Sequence, residues 1–293
     1  MRKLCLAILM GCFSISLFSQ STFPVNGVAD ERETTYAFKN ATIVKDAQST
    51  LTNATMIIRN GKIMAIGTAV TIPADAIVVD CTGKHIYPSF IDLFADYGMP
   101  AQAQAQGGFG RGGFGAAQLS SGTKGAFGWN QAIKADVNAA SIFVTDDAKA
   151  KAMREIGFGA VLTHQKDGIA RGTGAFVSLA SMKENMVILK EKASAHYSFV
   201  KGTSTQSYPS SMMGNISLLR QTYLDAKWYK KNTEKEGLNL SLLAWNNIQG
   251  LPQVFDASDK WNALRADRIG DEFGVQYIIK TSGNEYQRIA EMA

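Results

Sequence analysis

Residues 54–67 read ATMIIRNGKIMAIG, two short apolar runs separated by the polar dipeptide Asn60-Gly61. An Asn-Gly pair between apolar runs strongly indicates a β-hairpin, because both residues tolerate positive φ. The pattern predicts strands at 54–59 and 62–67 joined by a two-residue turn. Further short runs at 36–44, 77–80 and 85–87 extend this into a small β module of about 50 residues.

After Trp129 the pattern changes to helices alternating with strands. Helices are predicted from Thr145 or Asp146 to about Glu155, from Ser210 or Ser211 onward, at 240–248, from Ser258 to Phe273, and from about Glu285. Strands are predicted at 160–164, 175–180, 253–257 and 275–280. Because strand-helix-strand repeats normally form parallel sheets with crossover helices, this part is predicted to be α/β. An α/β sandwich and an α/β barrel both fit.

Residues 98–128 interrupt both patterns with an Ala/Gln repeat followed by a nearly all-Gly run. This composition cannot pack a core and predicts a flexible loop. Gly108, Gly110 and Gly113 match a dinucleotide-binding spacing, but no strand precedes them and no helix follows, so no such cofactor is predicted. An S-x-x-K motif at Ser121 lies in a loop rather than at a helix start, which argues against a serine β-lactamase.

The 293 residues include 30 Lys and Arg against 25 Asp and Glu, without a basic block, so nucleic acid is not an expected partner. Residues 1–20 resemble a signal peptide, with Arg2 and Lys3 before an apolar stretch at 4–18 that is shorter than the about 20 residues a membrane span needs. No transmembrane span is therefore predicted. We expect an exported protein of the periplasm or cell envelope, cleaved near residue 20, with a lipid anchor at Cys12 as the less favoured alternative.

Few side chains suited to covalent or metal chemistry lie beyond this leader. Cys81 is the single cysteine there, which excludes an intrachain disulfide in the exported chain, and its strand-like context is typical of a small core residue. His85, His164 and His196 are the three histidines, and none has the spacing of a local metal chelate. His164 is the most notable, because it closes a predicted strand, where barrel enzymes gather their active-site residues.

Five ordered sequence blocks carry a family resemblance. They are NATIV at 40–44, NGKIMAIG at 60–67, IPA at 72–74, DCTGK at 80–84 and YPSFID at 87–92. Together they resemble the N-terminal β-sandwich and first barrel strand of the amidohydrolase superfamily, particularly its imidazolonepropionase-like members. A weaker resemblance continues through 129–130, 157–179, 208–229 and 253–286. It implies a (β/α)8 TIM-type barrel beside a small β-sandwich, and a zinc or other divalent ion whose bound water hydrolyses non-peptide C–N bonds.

The sequence departs from this family at the positions of the metal ligands. The family's first barrel strand reads Ile-Asp-x-His-x-His, whereas Phe94 and Asp96 stand at the two histidine positions here. The later ligand strands fall on Phe255-Asp256 and on Thr281, again without histidine. A phenyl ring cannot ligate a metal, and one carboxylate is a poor replacement for paired imidazoles. We therefore expect no bound metal, no catalytic residues and no hydrolytic activity from this chain alone.

The other histidines do not replace the missing metal ligands, because His85 and His196 match no ligand position of the family. A weaker alternative is a divergent oxygen-rich metal site, built from Asp92, Asp96, Asp256 and Lys280.

The resemblance divides the chain into a signal peptide at 1–20, a β-sandwich module at 21–88 and a partial barrel at 89–293 with the Gly-rich loop 98–128. Residues 89–293 are fewer than the about 250 of a complete barrel, so the barrel is predicted to be incomplete. The expected partner is the downstream remainder of the same polypeptide. Two functions stay open: a pseudo-catalytic N-terminal half or fragment of an amidohydrolase, or a non-catalytic binding or scaffold module of the cell envelope.

Overall fold

The computed structural model describes residues 34–101, 121 and 123–292, and the chain divides into two compact units, Met1–Pro88 and Ser89–Ala293. The predicted signal peptide at 1–20, the alternative lipid anchor at Cys12 and most of the Gly-rich segment 98–128 lie outside the described residues. Within the described part, no helix has both the length and the apolar composition needed to cross a membrane.

The N-terminal unit contains a five-stranded sheet. Its strands are β1 Tyr36–Val44, β2 Thr50–Arg59, β3 Lys62–Gly67, β4 Ile77–Asp80 and β5 His85–Ile86. The central strand β1 pairs antiparallel with β2 and parallel with β4 and β5, while β3 pairs antiparallel with β2. The predicted hairpin is confirmed, since Asn60 and Gly61 both have positive φ, at 53° and 67°.

The core of this unit is centred on β1 and β2, where Ala41, Ile43, Ala54 and Met56 are buried. The predicted strand positions agree with the structure, except that β2 starts four residues before the predicted 54 and β5 ends one residue before the predicted 87. The strands within residues 34–88 form one sheet. The β-sandwich at 21–88 stays a prediction.

The C-terminal unit is built around a curled, half-barrel sheet of six strands. Its elements are β6 Phe90–Ala95, α1 Ala139–Ile142, α2 Asp147–Glu155, β7 Phe158–Thr163, β8 Ala170–Ser178, α3 Glu184–Val187, β9 Ile188–Ser198, α4 Met212–Glu236, α5 Leu240–Ile248, β10 Gln253–Asp256, α6 Lys260–Phe273 and β11 Tyr277–Lys280, followed by a 3-10 helix at Glu285–Glu291. The strands neighbour one another in chain order from β6 to β11.

Strand β8 runs antiparallel to both of its neighbours, which corrects the prediction of a parallel sheet. The connections on either side of it, 164–169 and 179–187, are too short for a parallel crossover, which takes a dozen or more residues. The sequence pattern misses β9 because its first half is charged and exposed while its second half is buried. The other five strands run in one direction, so their carboxyl ends meet at one edge of the sheet.

The helices begin at capping residues, most of them as predicted. Asp146 caps α2 and Ser211 caps α4, each accepting a backbone N–H of the first turn. The cap of α6 is Asp259 rather than the predicted Ser258, because the carboxylate of Asp259 accepts the free N–H groups of the first turn. The last helix begins at Glu285 as predicted, but it is a 3-10 helix.

The main core lies between this sheet and helices α4 to α6. Tyr197 of β9 and Phe255 of β10 pack with Leu219 of α4 and Trp245 of α5, and all four are almost fully buried. Because side chains alternate along a strand, Phe255 faces the helices and its neighbour Asp256 faces the opposite side of the sheet. The same alternation places His196 and Lys280 on that opposite side.

Candidate functional site at the strand ends

The carboxyl ends of the five co-directional strands bring together a group of polar and aromatic side chains. We name this group the mouth cluster, and it consists of Phe94, His164, Lys166, Arg171, His196, Asp256 and Lys280. The β-ladder register explains much of the grouping, since Asp256 pairs with Lys280 on one side and with Ser198, two residues beyond His196, on the other.

At the base of the cluster, the imidazole rings of His164 and His196 stack face to face. Their centroids are 3.6 Å apart, their planes differ by 8°, and the two residues are 0% and 1% exposed. Nε2 of His196 shares a hydrogen bond with Oγ of Ser194 at 2.7 Å. Both ring nitrogens of His164 and Nδ1 of His196 are buried without a hydrogen-bond partner among the described residues.

Burial sets the protonation state of this pair. It lowers the pKa of His196 to about 3, with the positive charge of Arg171 adding to the effect. Burial also lowers the pKa of His164 strongly, followed by the influence of His196, Arg171 and Lys166. Both rings are therefore neutral at pH 7. Gly174 of β8 makes room for them, since a Cβ there would lie 2.6 Å from Nε2 of His196.

Phe94 covers the stacked imidazoles. Its ring centroid lies 4.7 Å from that of His164 and 6.2 Å from that of His196. Two ammonium groups lie near the same ring, with Nζ of Lys166 at 5.0 Å and Nζ of Lys280 at 4.9 Å from its centroid. Contacts of this kind between a cation and an aromatic face stabilise by roughly 0.5–1 kcal/mol at exposed sites.

The charges of the mouth cluster are mostly positive. Arg171, whose side chain is only 5% exposed, donates from Nη1 to Oδ2 of Asp256 at 3.0 Å, and Nζ of Lys280 contacts the other oxygen of Asp256 at 3.2 Å. Burial lowers the pKa of Arg171, and the carboxylate of Asp256 opposes that effect. Lys166 has a longer contact of 3.4 Å with the exposed Asp96. Asp256 thus pairs with both Arg171 and Lys280, whereas Lys166, among the described residues, pairs only with the solvent-exposed Asp96.

The residues that stand at the family's ligand positions lie in different parts of the C-terminal unit. Phe94, Asp96 and Asp256 lie in or beside the mouth cluster, where both carboxylates are paired with cations. Phe255 is instead fully buried in the helix-facing core, with its ring 4.6 Å from that of Phe199. Thr281 hydrogen-bonds Glu285 and thereby lowers the pKa of that carboxyl.

In this geometry, the carboxylates of the alternative oxygen-rich metal site already have other partners. Oδ1 of Asp92 accepts the backbone N–H of Phe94, Asp96 contacts Lys166, and Asp256 is shared by Arg171 and Lys280. Over residues 34–101, 121 and 123–292, no group of three or more His, Cys, Asp or Glu side chains is arranged to hold a metal ion.

The donors that are present do not fit the divalent ion that the family resemblance implies. Zinc binds an imidazole nitrogen at about 2.0–2.1 Å along its lone pair, which lies in the plane of the ring. One ion cannot lie in the planes of both His164 and His196, because these planes are nearly parallel and a full ring thickness apart. Phe94 and two ammonium groups occupy the space beside them.

The sequence indicated only part of this cluster. His164 stands out because it closes the predicted strand 160–164, and it directly follows β7, whereas His196 matches no family ligand and yet stacks on it. Lys166 and Arg171 are missed, because their place depends on the antiparallel strand β8 and on the turn before it. The position of Lys166 two residues after His164, beyond the end of a strand, is a signal that could have identified it.

Solved structures with a similar fold were found. An amidohydrolase from Thermotoga maritima matches with a TM-score of 0.62 and 21% identity, over 83% of this chain and 63% of that chain. This chain has the amidohydrolase fold. The resemblance predicted from the sequence is thus confirmed at the level of the fold, and the chain spans less than two thirds of the length of that relative.

Two further structures match with lower similarity. Another amidohydrolase has a TM-score of 0.39 and 15% identity over 81% of this chain and 59% of its own. A prolidase solved with N-methylphosphonate-L-proline has a TM-score of 0.37 and 12% identity over the same shares. No protein-family model and no curated protein matches this chain.

Proposed function

We propose that this chain is the N-terminal portion of an exported, imidazolonepropionase-like member of the amidohydrolase superfamily, and that this portion is pseudo-catalytic. The amidohydrolase fold and the sequence blocks between residues 40 and 92 support the family assignment. The apolar leader at 1–20 supports export to the periplasm or cell envelope. Hydrolysis of non-peptide C–N bonds by the whole protein would then depend on residues outside this chain.

The observation that carries this proposal is Phe94 at a ligand position of the family, with the ammonium groups of Lys166 and Lys280 beside its ring. An ion at the place of the Phe94 ring would lie about 5 Å from the Nζ atoms of Lys166 and Lys280. With an effective dielectric constant of about 20, each ammonium would repel a divalent ion by about 7 kcal/mol. Asp256 offsets only part of this repulsion, because its single negative charge lies beside both Arg171 and Lys280.

The remainder of the same polypeptide is the partner that we propose. Among the described residues, β6 and β11 are the two edges of the half-barrel sheet, and apolar side chains are exposed on both, namely Ile91, Leu93 and Ile278. Open edges with exposed apolar residues promote aggregation unless another strand covers them. Further barrel strands would cover both edges, in keeping with the 63% coverage of the Thermotoga amidohydrolase.

An activity assay tests the pseudo-catalytic role. The purified chain is incubated with hydantoin, dipeptide and imidazolone substrates, first after removal of metals on a chelating resin and then with added zinc. We expect no turnover in either condition. Turnover that appears with zinc and disappears on renewed removal of the metal would contradict the proposal.

A non-catalytic binding or scaffold module is the second candidate. It is favoured by the cationic mouth cluster, which can hold a ligand without transforming it. In this case the protein would retain a partner from envelope extract through the mouth and the segment 98–128. A pull-down that retrieves nothing, with the whole chain and with the chain lacking 98–128, would count against it.

A further inference from the structure

The mouth cluster has a surplus of positive charge and unused hydrogen-bond donors. Lys166, Arg171 and Lys280 face one shared carboxylate, Asp256, and one largely exposed carboxylate, Asp96. We propose that the mouth cluster binds a small oxyanion, a carboxylate or phosphate group, between the ammonium groups of Lys166 and Lys280 beside Phe94. This inference goes beyond the proposed function and does not depend on it.

The two lysines are well placed to share one ligand. Each Nζ lies about 5 Å from the same Phe94 centroid, so the two ammonium groups are at most about 10 Å apart. Their side chains are 31% and 45% exposed, so solutes can reach them. Each ammonium has three donors, and Lys280 contacts Asp256 while the Lys166 contact with Asp96 is long and solvated.

The buried imidazoles are a second, independent sign of a missing acceptor. Each neutral imidazole carries one N–H donor, yet neither ring nitrogen of His164 has a partner among the described residues, although the residue is fully buried. Leaving a buried donor unsatisfied costs roughly 1–3 kcal/mol. An oxygen of the ligand, or a water molecule that it orders, would supply the acceptor next to the Phe94 ring.

The buried Arg171 decides the sign of the ligand. Its guanidinium lies beside Asp256 and offsets much of the repulsion that this carboxylate would exert on an incoming anion. A cation would meet three positive groups and no unpaired carboxylate within the cluster. Charge-assisted hydrogen bonds from Lys to a carboxylate or phosphate are about twice as strong as neutral ones, so an oxyanion fits and a metal ion does not.

Histidine NMR provides a local test, because the chain has only three histidines. The Cε1–H resonances of His164 and His196 report on the mouth cluster, and that of His85 in the N-terminal unit is an internal control. Metal-free protein is titrated with sodium phosphate and, separately, sodium acetate, against sodium chloride of equal ionic strength. We expect the His164 and His196 signals to shift along a saturable curve with at least one oxyanion, while that of His85 stays in place.

Variants then localise the binding. Lys166→Met and Lys280→Met should each weaken the affinity by about fivefold or more, which corresponds to one lost charge-assisted hydrogen bond. Lys280→Arg, which keeps the charge, should stay within about twofold of the parent. Lys192→Met is the matched control, because this exposed lysine lies on β9 about 13 Å before His196 and should leave binding unchanged.

Two results would overturn the proposal. One is a non-saturable shift that chloride reproduces, which the parent protein reveals without any variant. The other is an equal loss of affinity in Lys192→Met and in the two mouth variants, which would show unspecific attraction by surface lysines. Because the protein is free of metal and no turnover is measured, the outcome is distinct from that of the hydrolysis assay.

Discussion

Acidification should destabilise the C-terminal unit through the stacked histidines. His164 and His196 are neutral in the folded protein because burial depresses their pKa values, whereas in the unfolded chain both titrate near 6.5. When the pH falls below 6.5, the unfolded state takes up protons that the folded state does not bind. Stability is therefore retained above pH 6.5 and declines as the pH falls toward the folded value of about 3 for His196.

The size of this stability loss follows from the difference between the histidine pKa values in the unfolded and folded states. Each pH unit below 6.5 lowers the free energy of unfolding by about 1.4 kcal/mol per buried neutral histidine. At pH 5 this gives about 2 kcal/mol for each ring and about 4 kcal/mol for the pair. Most carboxylates of the unfolded chain are still ionised at pH 5, so they contribute little over this interval.

Tryptophan fluorescence during urea denaturation measures the effect, because all four tryptophans lie in the C-terminal unit. Unfolding free energies at pH 7.5 and pH 5 are compared for the parent, His164→Gln and His196→Gln. In each variant, the drop in unfolding free energy from pH 7.5 to pH 5 should be about half of that in the parent. His85→Gln, in the other unit, should show the same drop as the parent. Equal declines in the parent and both mouth variants would refute the assignment of buried neutral imidazoles.

Three substitutions test the packing, the capping and the backbone of the same unit by the same urea assay. Leu219→Ala in the fully buried core should cost about 2–5 kcal/mol, whereas a loss below 1 kcal/mol would contradict the helix–sheet core. Asp259→Ala should cost about 0.5–2 kcal/mol and more than Ser258→Ala, and the reverse order would restore Ser258 as the cap of α6. Gly172→Ala should destabilise by more than about 1 kcal/mol, since Gly172 has φ of 79° and a Cβ would lie 2.0 Å from the carbonyl oxygen of Val137. A neutral or stabilising result there would contradict this backbone.

The local features of the fold could be predicted from the sequence because they depend on short-range chemistry. Asn60-Gly61 determines its hairpin through the conformations that those two residues accept. Asp146 and Ser211 mark helix starts, since their side chains accept first-turn N–H groups. The ordered blocks between 40 and 92 indicated the amidohydrolase fold that the comparison confirms.

The direction of β8 and the existence of β9 are not evident from residue patterns. Strand β9 combines an exposed charged half with a buried half, so neither alternation nor a continuous apolar run appears. The mouth cluster depends on these two strands, because they bring Arg171 to Asp256 and His196 to His164. These pairs are 85 and 32 positions apart in the chain, and no local signal connects them.

A zinc titration of the metal-free chain, followed by the His164 and His196 Cε1–H resonances, tests most directly whether Phe94 and its basic neighbours exclude a hydrolytic metal. We expect both signals to stay in place and the dialysed protein to retain well below a tenth of an equivalent of zinc. Retention of one equivalent together with saturable shifts of both histidines would show that this half-barrel holds the ion after all.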